Sequence, residues 1–386
     1  MKKPDFRGKT TVIVCHDAMF GPPHELRDFL LSRRIKTLVF IGHRNRSMED
    51  NSVRSSYREW YESGRMIKKS TAPTTSFLPE AIAYGIDSIV TLYWTLSVPG
   101  KIDYYIGLGN LNAFNGLFLR MAGKINQCIY YVIDYIPRRF SHALMNALYH
   151  RLDYWCAVFC DATWNYAPQM IVARTSRWKR IFPNQKVTPN GVRVRYDREK
   201  PKRLSLNEVM YLGSIVEGQG IQLVIEALQY IIPAVPSVHF SLIGKGPYRK
   251  SLEHMIKEKN LEKHVTFIGY IEDPDTTDKR VAKAALGIAS YTPTNTVVTH
   301  TEPGKIKRYF ACGLPVIMTD VGSIAEESFQ TGCSLIVPYD KRCLARAVVS
   351  LLKNKKKMEI MRKNALAFAK KYRWDHIFTD AFRGLL

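Results

Sequence analysis

The chain predicts an α/β fold of two Rossmann-like domains with parallel sheets facing across a cleft. Strands alternate with helices through the first half, the alternation restarts after residue 200, and a turn-forming Pro189-Asn190-Gly191 separates the two runs. In the first half, residues 10–15 read as a short buried strand, and Gly21-Pro22-Pro23 turns the chain into a helix over 24–32. Strands follow at 37–42, 88–92, 104–107 and 129–133. In such a sheet ligands gather at the carboxyl ends of the strands, where Phe20-Gly21, Gly109-Asn110 and Asp134-Tyr135 would meet. In the second half, 209–212 is a strand, 213–220 a loop and 221–230 a helix. A strand at 239–243 leads into Gly244-Lys245-Gly246-Pro247, and strands at 265–268, 286–291 and 315–318 continue the sheet. The expected domains are 1–190 and 191–365, with 366–386 a C-terminal helix packing back on the first domain. A basic helix over 353–372 reads first as a solvated face.

The 386 residues, 46% of them hydrophobic, hold enough material for two ordinary cores. The net charge of +23 is spread, with 30 Lys/Arg against 16 Asp/Glu in residues 1–200 and 27 against 18 afterwards. Nucleic acid, an anionic membrane surface and a negatively charged substrate compete to explain it. No helix-turn-helix, zinc-finger or RNP-like pattern is present, so nucleic acid is set aside in favour of a membrane surface and phosphate-bearing ligands. Seven cysteines, odd in number and mostly in apolar runs, read as reduced core residues. Cys156, Cys160 and His150 lack a second pair at zinc spacing, so no metal site is expected. Lys2 and Lys3 lead into a short strand rather than a long apolar stretch, and no uncharged run reaches the ~20 residues of a membrane span. The expected location is cytoplasmic, peripheral at the inner face of the cell membrane.

The most informative segment runs from 302 to 320, EPGKIKRYFACGLPVIMTD. A Pro-Gly entry, a short helix, a Gly stop and a buried strand present a helix N-terminus beside a parallel sheet. Its unpaired N–H groups and partial positive charge suit a phosphate or carboxylate. Gly213 and the Gly244-Lys245-Gly246 loop each admit a bland reading as tight turns; placed at neighbouring strand ends, they favour a ligand cleft.

Taken together these segments resemble glycosyltransferases of the two-domain GT-B fold, of the retaining family 4 type. Pro189-Asn190-Gly191-Val192 is similar to the family's hinge, and Tyr211-Leu212-Gly213 through Gly220-Ile221-Gln222 to its first donor loop. Residues 242–247 are similar to its Gly-x-Gly-Pro loop, and Phe267-Ile268-Gly269-Tyr270-Ile271 to the strand beside the nucleobase. Ala311-Cys312-Gly313-Leu314-Pro315-Val316-Ile317 matches almost letter for letter; Cys160-Asp161-Ala162 and Gly21-Pro22-Pro23 fit less specifically. The resemblance implies transfer of a sugar from a nucleotide-diphospho-sugar, with retention, to a glycan or lipid-linked acceptor in cell-surface polysaccharide or glycolipid synthesis. It implies no cofactor and no required metal.

The chain departs from the family pattern where the donor diphosphate is held. Ser214 stands in place of the loop Arg and Gln219 in place of the Lys, while His300 and Arg308 occupy the two Glu positions. The expected donor-binding residues are Gly213, Ser214, Gln219, Gly244, Lys245, Gly246, Ile271, His300, Pro303, Gly304, Lys305 and Arg308. Lys305 would neutralise phosphate as a point charge, and Glu302 would take a sugar or ribose hydroxyl. Arg308 would face a phosphate, a neighbouring carboxylate or water. On the acceptor side Gly21, His24 and Asn110 are expected to bind, with Asp134 and Glu302 as the catalytic carboxylates. Asp134 reads equally as a cap of the next segment, and Glu25 as a complement to the helix dipole. The aromatic-basic stretches 136–140 and 174–182 suit docking on anionic headgroups, or a plain basic surface. The losses at 214, 219, 300 and 308 keep two rivals open: an impaired relative that binds nucleotide or scaffolds a complex, and another GT-B enzyme such as a sugar-nucleotide epimerase.

Overall fold

The computed structural model describes residues 4–17, 21–46, 53–194, 204–294, 303–320 and 323–385. They form two compact units, Met1–Asn190 with Trp374–Leu386, and Gly191–Arg373.

The first unit runs β1 (Thr10–Asp17), α1 (Pro22–Ser32), β2 (Thr37–Arg44), β3 (Tyr57–Glu62), β4 (Arg65–Thr71), α2 (Glu80–Leu96), β5 (Ile102–Leu108), α3 (Asn110–Met121), β6 (Ile125–Val132), α4 (Ala143–Phe159), β7 (Ala162–Asn165), α5 (Pro168–Trp178) and β8 (Gln185–Val187). Its sheet has the order β4-β3-β2-β1-β5-β6-β7-β8, parallel except for the antiparallel edge strands β3 and β4. The continuous apolar runs of β1, β5 and β6 are buried, as strands covered on both faces require. The strand expected over 88–92 is instead the middle of α2. Its short apolar run is ambiguous alone, but the buried Ala83, Asp87, Thr91, Trp94 and Thr95 recur at helical spacing. The β3–β4 hairpin lies outside the expected strands; Ser63 and Gly64 turn it with positive φ of 47° and 85°.

The second unit runs β9 (Ser205–Leu212), α6 (Ile221–Ile231), β10 (His239–Ile243), α7 (Arg249–Glu258), β11 (Val265–Gly269), α8 (Pro274–Ala282), β12 (Ala284–Ala289), α9 (Gly304–Ala311), β13 (Val316–Met318), α10 (Ser323–Gln330), β14 (Ser334–Ile336), α11 (Lys341–Leu352) and α12 (Lys355–Lys371). Its sheet is parallel, in the order β11-β10-β9-β12-β13-β14. The stripe Ile221, Val224, Ile225, Leu228 packs α6 onto it, and Leu344, Val348 and Leu351 of α11 join the same core. Tyr309 of α9 is buried; its hydroxyl accepts from the Leu212 amide at 2.6 Å and its ring fills the space a side chain at Gly287 would need. That contact packs the second half of α9 against β9 and β12.

A last helix, α13 (Trp374–Ala381), returns to the first unit. The crossing is at Trp374, eight residues beyond the 366 expected, because α12 stays on the second unit through Phe368 and Ala369. Phe378 and, beyond the helix, Phe382 pack against Phe29, and Phe382 also meets Phe6, Tyr104 and Trp164. Six of the seven cysteines are buried and none is paired. Among the described residues no group of three His, Cys, Asp or Glu is placed to hold a metal, and His150 Nε2 lies 2.9 Å from the Pro137 carbonyl. No helix of the described residues is long and apolar enough to cross a membrane. The stretch 174–182 divides: Arg177, Lys179, Arg180 and Ile181 are exposed, while its two ends turn inward. Arg174 is fully buried with its guanidinium on Asp153 at 2.8 Å, and Phe182 is buried.

Candidate active site

Three loops at the carboxyl ends of β9, β10 and β11 are stitched together by backbone hydrogen bonds. The Gly213 amide donates to Ile243 O, Ile215 to Lys245 O and Gly244 to Gly269 O, at 2.9–3.0 Å. Gly244 has φ +147°, and a Cβ there would lie 1.9 Å from Gly213 O, so the approach of the two loops demands glycine. Gly246 packs on Ile215 in the same way. Lys245 lies over the Tyr270 ring at 5.2 Å, and the Ile271 carbonyl accepts from Thr277 Oγ1 at 3.5 Å.

Lys305 reaches into this group from the first turn of α9. Its Nζ donates to Tyr211 Oη at 3.2 Å and to Gln219 Oε1. The ammonium sits over the Tyr211 and Tyr291 rings at 4.3 and 4.8 Å. Gly213 is beside it, since a Cβ there would meet Nζ at 3.3 Å. Tyr211 Oη in turn donates to the Ser214 carbonyl at 2.7 Å. Burial of the ammonium lowers its pKa from 10.5 to about 7. No described carboxylate forms an ion pair with it. The start of α9, capped by no described side chain and preceded by Pro303, adds its partial positive charge at the same place.

The structure therefore brings together Gly213, Ser214, Gln219, Lys305, Pro303 and Gly304, with Gly244, Lys245 and Gly246 behind them. It commits Arg308 elsewhere: Nε donates to Asp278 at 2.5 Å and Nη2 to the Pro274 carbonyl at 3.0 Å. Of the readings open for Arg308, the neighbouring carboxylate is the one observed. His300 and Glu302 lie outside the described residues.

In the first unit, Asp134 follows β6 with a half-exposed carboxylate 3.4 Å from Arg139 Nη1. Gly21 precedes α1 with φ +96°. His24 faces inward, its Nε2 2.7 Å from Oδ1 of the buried Asp17, whose Oδ2 accepts from Tyr57 Oη. Asn110 is nearly buried, donating to the Tyr149 carbonyl at 2.7 Å and accepting from the Leu111 amide at 2.8 Å. The structure gives both His24 and Asn110 internal partners.

A cluster that the sequence reading does not single out lies at the same ends of β1 and β2. His43 bridges Ser56 Oγ at 2.8 Å and Thr91 Oγ1 at 2.7 Å, and Ser56 donates to Asp87 Oδ1 at 2.9 Å. His16 Nδ1 lies 3.2 Å from Asn112 Nδ2, and its Nε2 is 3.6 Å from Asp87 Oδ2. Burial opposes ionisation of Asp87, but the hydrogen bonds from His16 and His43 outweigh it and hold the carboxyl below its usual range. Burial lowers the His16 pKa, the Asp87 contact offsetting part of the effect. The one local signal is that the apolar run 11–15 ends in His16-Asp17.

Residues 207–354 match the family model described as glycosyl transferases group 1. The matched segment is the one in which the GT-B resemblance is densest, and that resemblance holds. No curated protein matches the chain by sequence. The fold is shared with several solved structures. HepE from Anabaena, crystallised with UDP, is 16% identical, with TM-score 0.68 over 97% of this chain and 99% of its own. Sucrose-phosphate synthase from Thermosynechococcus elongatus is 16% identical, with TM-score 0.69 over 98% and 99%. A UDP-forming trehalose-phosphate synthase from Burkholderia vietnamiensis is 12% identical, with TM-score 0.69 over 97% and 99%. At these identities the likeness is one of fold.

Proposed function

We propose that this protein is a metal-independent retaining glycosyltransferase of the family 4 type. It would move a sugar from a nucleotide-diphospho-sugar to a hydroxyl of a glycan or lipid-linked acceptor, for cell-surface polysaccharide or glycolipid synthesis at an anionic membrane surface. The observation that carries the reading is the Lys305 ammonium, held on Gln219 and Tyr211 beside Gly213 at the head of α9. Gln219 stands where the family places a loop lysine, so a positive charge lost from the loop is returned to the same spot from the helix.

The chemistry follows from that charge. The bond from the anomeric carbon to the diphosphate oxygen breaks, and the acceptor oxygen bonds to that carbon on the same face. The acceptor's proton leaves on the departing diphosphate. Negative charge grows on the leaving group, so a preplaced ammonium and helix amides stabilise the transition state more than the ground state. A cation from the protein meets the need a divalent ion would otherwise meet. Glu302 is assigned a sugar or ribose hydroxyl, and Asp134, steadied by Arg139, an acceptor hydroxyl. HepE was crystallised with UDP and the trehalose-phosphate synthase is UDP-forming, which supports a uridine donor here.

Release of nucleoside diphosphate from UDP-, GDP- and ADP-sugars, with magnesium and with a chelator, tests this reading. The expected result is turnover of one donor class that survives chelation and is lost in Lys305→Met. The commitment of Arg308 to Asp278 favours a second reading, a nucleotide-binding relative without turnover. Tight diphosphate binding with no release from any donor would select it.

A further inference from the structure

In the first unit α2 is built inside out. Three of its buried side chains, Asp87, Thr91 and Thr95, are polar, and Asp87 and Thr91 serve the His16–His43 cluster. Its exposed side is apolar: Ile82, Ile89, Tyr93 and Leu96 are 54%, 66%, 70% and 55% exposed. At 100° per residue these four lie within about 60° of one another, so they form one stripe. Between 81 and 100 the only charged residue is the buried Asp87. The surface continues onto α3, which packs on α2 and exposes Phe118 and Met121.

Basic residues border this surface. The β3–β4 hairpin is tied to α2 by Arg58, whose guanidinium lies over Trp94 and donates to Ser97 Oγ at 2.7 Å. The outer strand of that hairpin exposes Arg65 and Lys68, and Lys101 is exposed just after α2. Among the described residues of α2, α3 and β4 the one exposed acid is Glu80. An apolar centre with a cationic border matches an anionic bilayer, where aliphatic and aromatic side chains enter the headgroup boundary and Lys/Arg meet lipid phosphates. The same border disfavours a second copy as the occupant, because two chains of net charge +23 would bring like charges together.

We propose that the outer face of α2, continued by α3, is the surface by which this protein lies on an anionic phospholipid bilayer, with Ile89 and Tyr93 entering the headgroup boundary. This deepens the reading of an acceptor presented at a membrane and rests on it for its purpose, while its physical test is separate. Co-sedimentation with vesicles of phosphatidylcholine, with and without phosphatidylglycerol, provides that test. The protein is expected to partition onto the anionic vesicles. The exposed-site variant Ile89→Asp/Tyr93→Asp is expected to lose partitioning by about tenfold or more, as removal of that much apolar contact implies. Its thermal unfolding and its binding of nucleoside diphosphate are expected to stay as in the parent. Equal partitioning of parent and variant would overturn the proposal. So would failure of the parent to bind vesicles, including the case where sedimentation velocity shows a dimer that the variant abolishes. Vesicle binding without nucleotide binding would instead remove the transferase reading and leave this surface standing.

Discussion

Lys305 has a cost in the ligand-free protein that reverses when an anion binds. With its pKa lowered to about 7 from 10.5, folded and unfolded chains both carry the proton below pH 7, and folding bears the full cost of burying it. Between about 7 and 10.5 only the unfolded chain keeps the proton, so ligand-free stability rises with pH across that window. The slope from this group is at most about 1.4 kcal/mol per pH unit. Lys305→Met should raise the melting temperature at pH 6–7 and remove that slope, read by thermal unfolding against pH. A bound diphosphate favours the ammonium, so nucleotide affinity should fall by up to about tenfold per unit above pH 7. Arg308 should behave oppositely: Arg308→Ala loses the Asp278 pair and about 1 kcal/mol of stability, with nucleotide affinity unchanged in calorimetry. Lys305 was legible because Pro303-Gly304 announces a helix start, and lysine in a first turn is notable there. The His16 cluster was not legible, since its members at 16, 43, 56, 87, 91 and 112 meet only through the sheet order.

At the scale of elements, the surroundings of Lys305 depend on loops that approach each other more closely than side chains allow. Gly244→Ala would force a Cβ toward Gly213 O at a φ of +147°, so a loss of about 2 kcal/mol or more is expected, with nucleotide binding weakened as the loops separate. Denaturant titration and calorimetry on the same variant would check both. The segments best read from sequence were those whose local chemistry and tertiary role agree: β9, β10 and β13 with their glycine-bearing loops. α2 misled because its buried positions include the polar Asp87, Thr91 and Thr95 while Ile82, Ile89, Tyr93 and Leu96 are exposed, so no helical stripe stood out and the short run 88–92 looked like a strand. The β3–β4 hairpin was missed because the exposed edge strand Arg65–Thr71 is mostly polar and basic, hiding any alternation.

For the whole molecule, the chain leaves the first unit after Asn190 and returns at Trp374, so that unit is completed by the last residues of the sequence. Phe382 is fully buried against Phe6, Tyr104 and Trp164, and Phe382→Ala should cost about 3–5 kcal/mol in that unit. Nucleotide binding, which the proposed function assigns to residues within Gly191–Arg373, should be retained at temperatures where the variant stays folded. The two-unit architecture was legible because the alternation of strands and helices restarts after a Pro-Asn-Gly turn. The position of the return was not, because α12 and α13 are both amphipathic and only packing separates them. The central claim is that the ammonium of Lys305 holds a donor diphosphate. Titration calorimetry of UDP and GDP at pH 8, in two buffers of different ionisation enthalpy, tests it most directly. Binding with net proton uptake by the parent, and loss of both affinity and uptake in Lys305→Met, is the predicted result. Equal affinity in parent and Lys305→Met would contradict it.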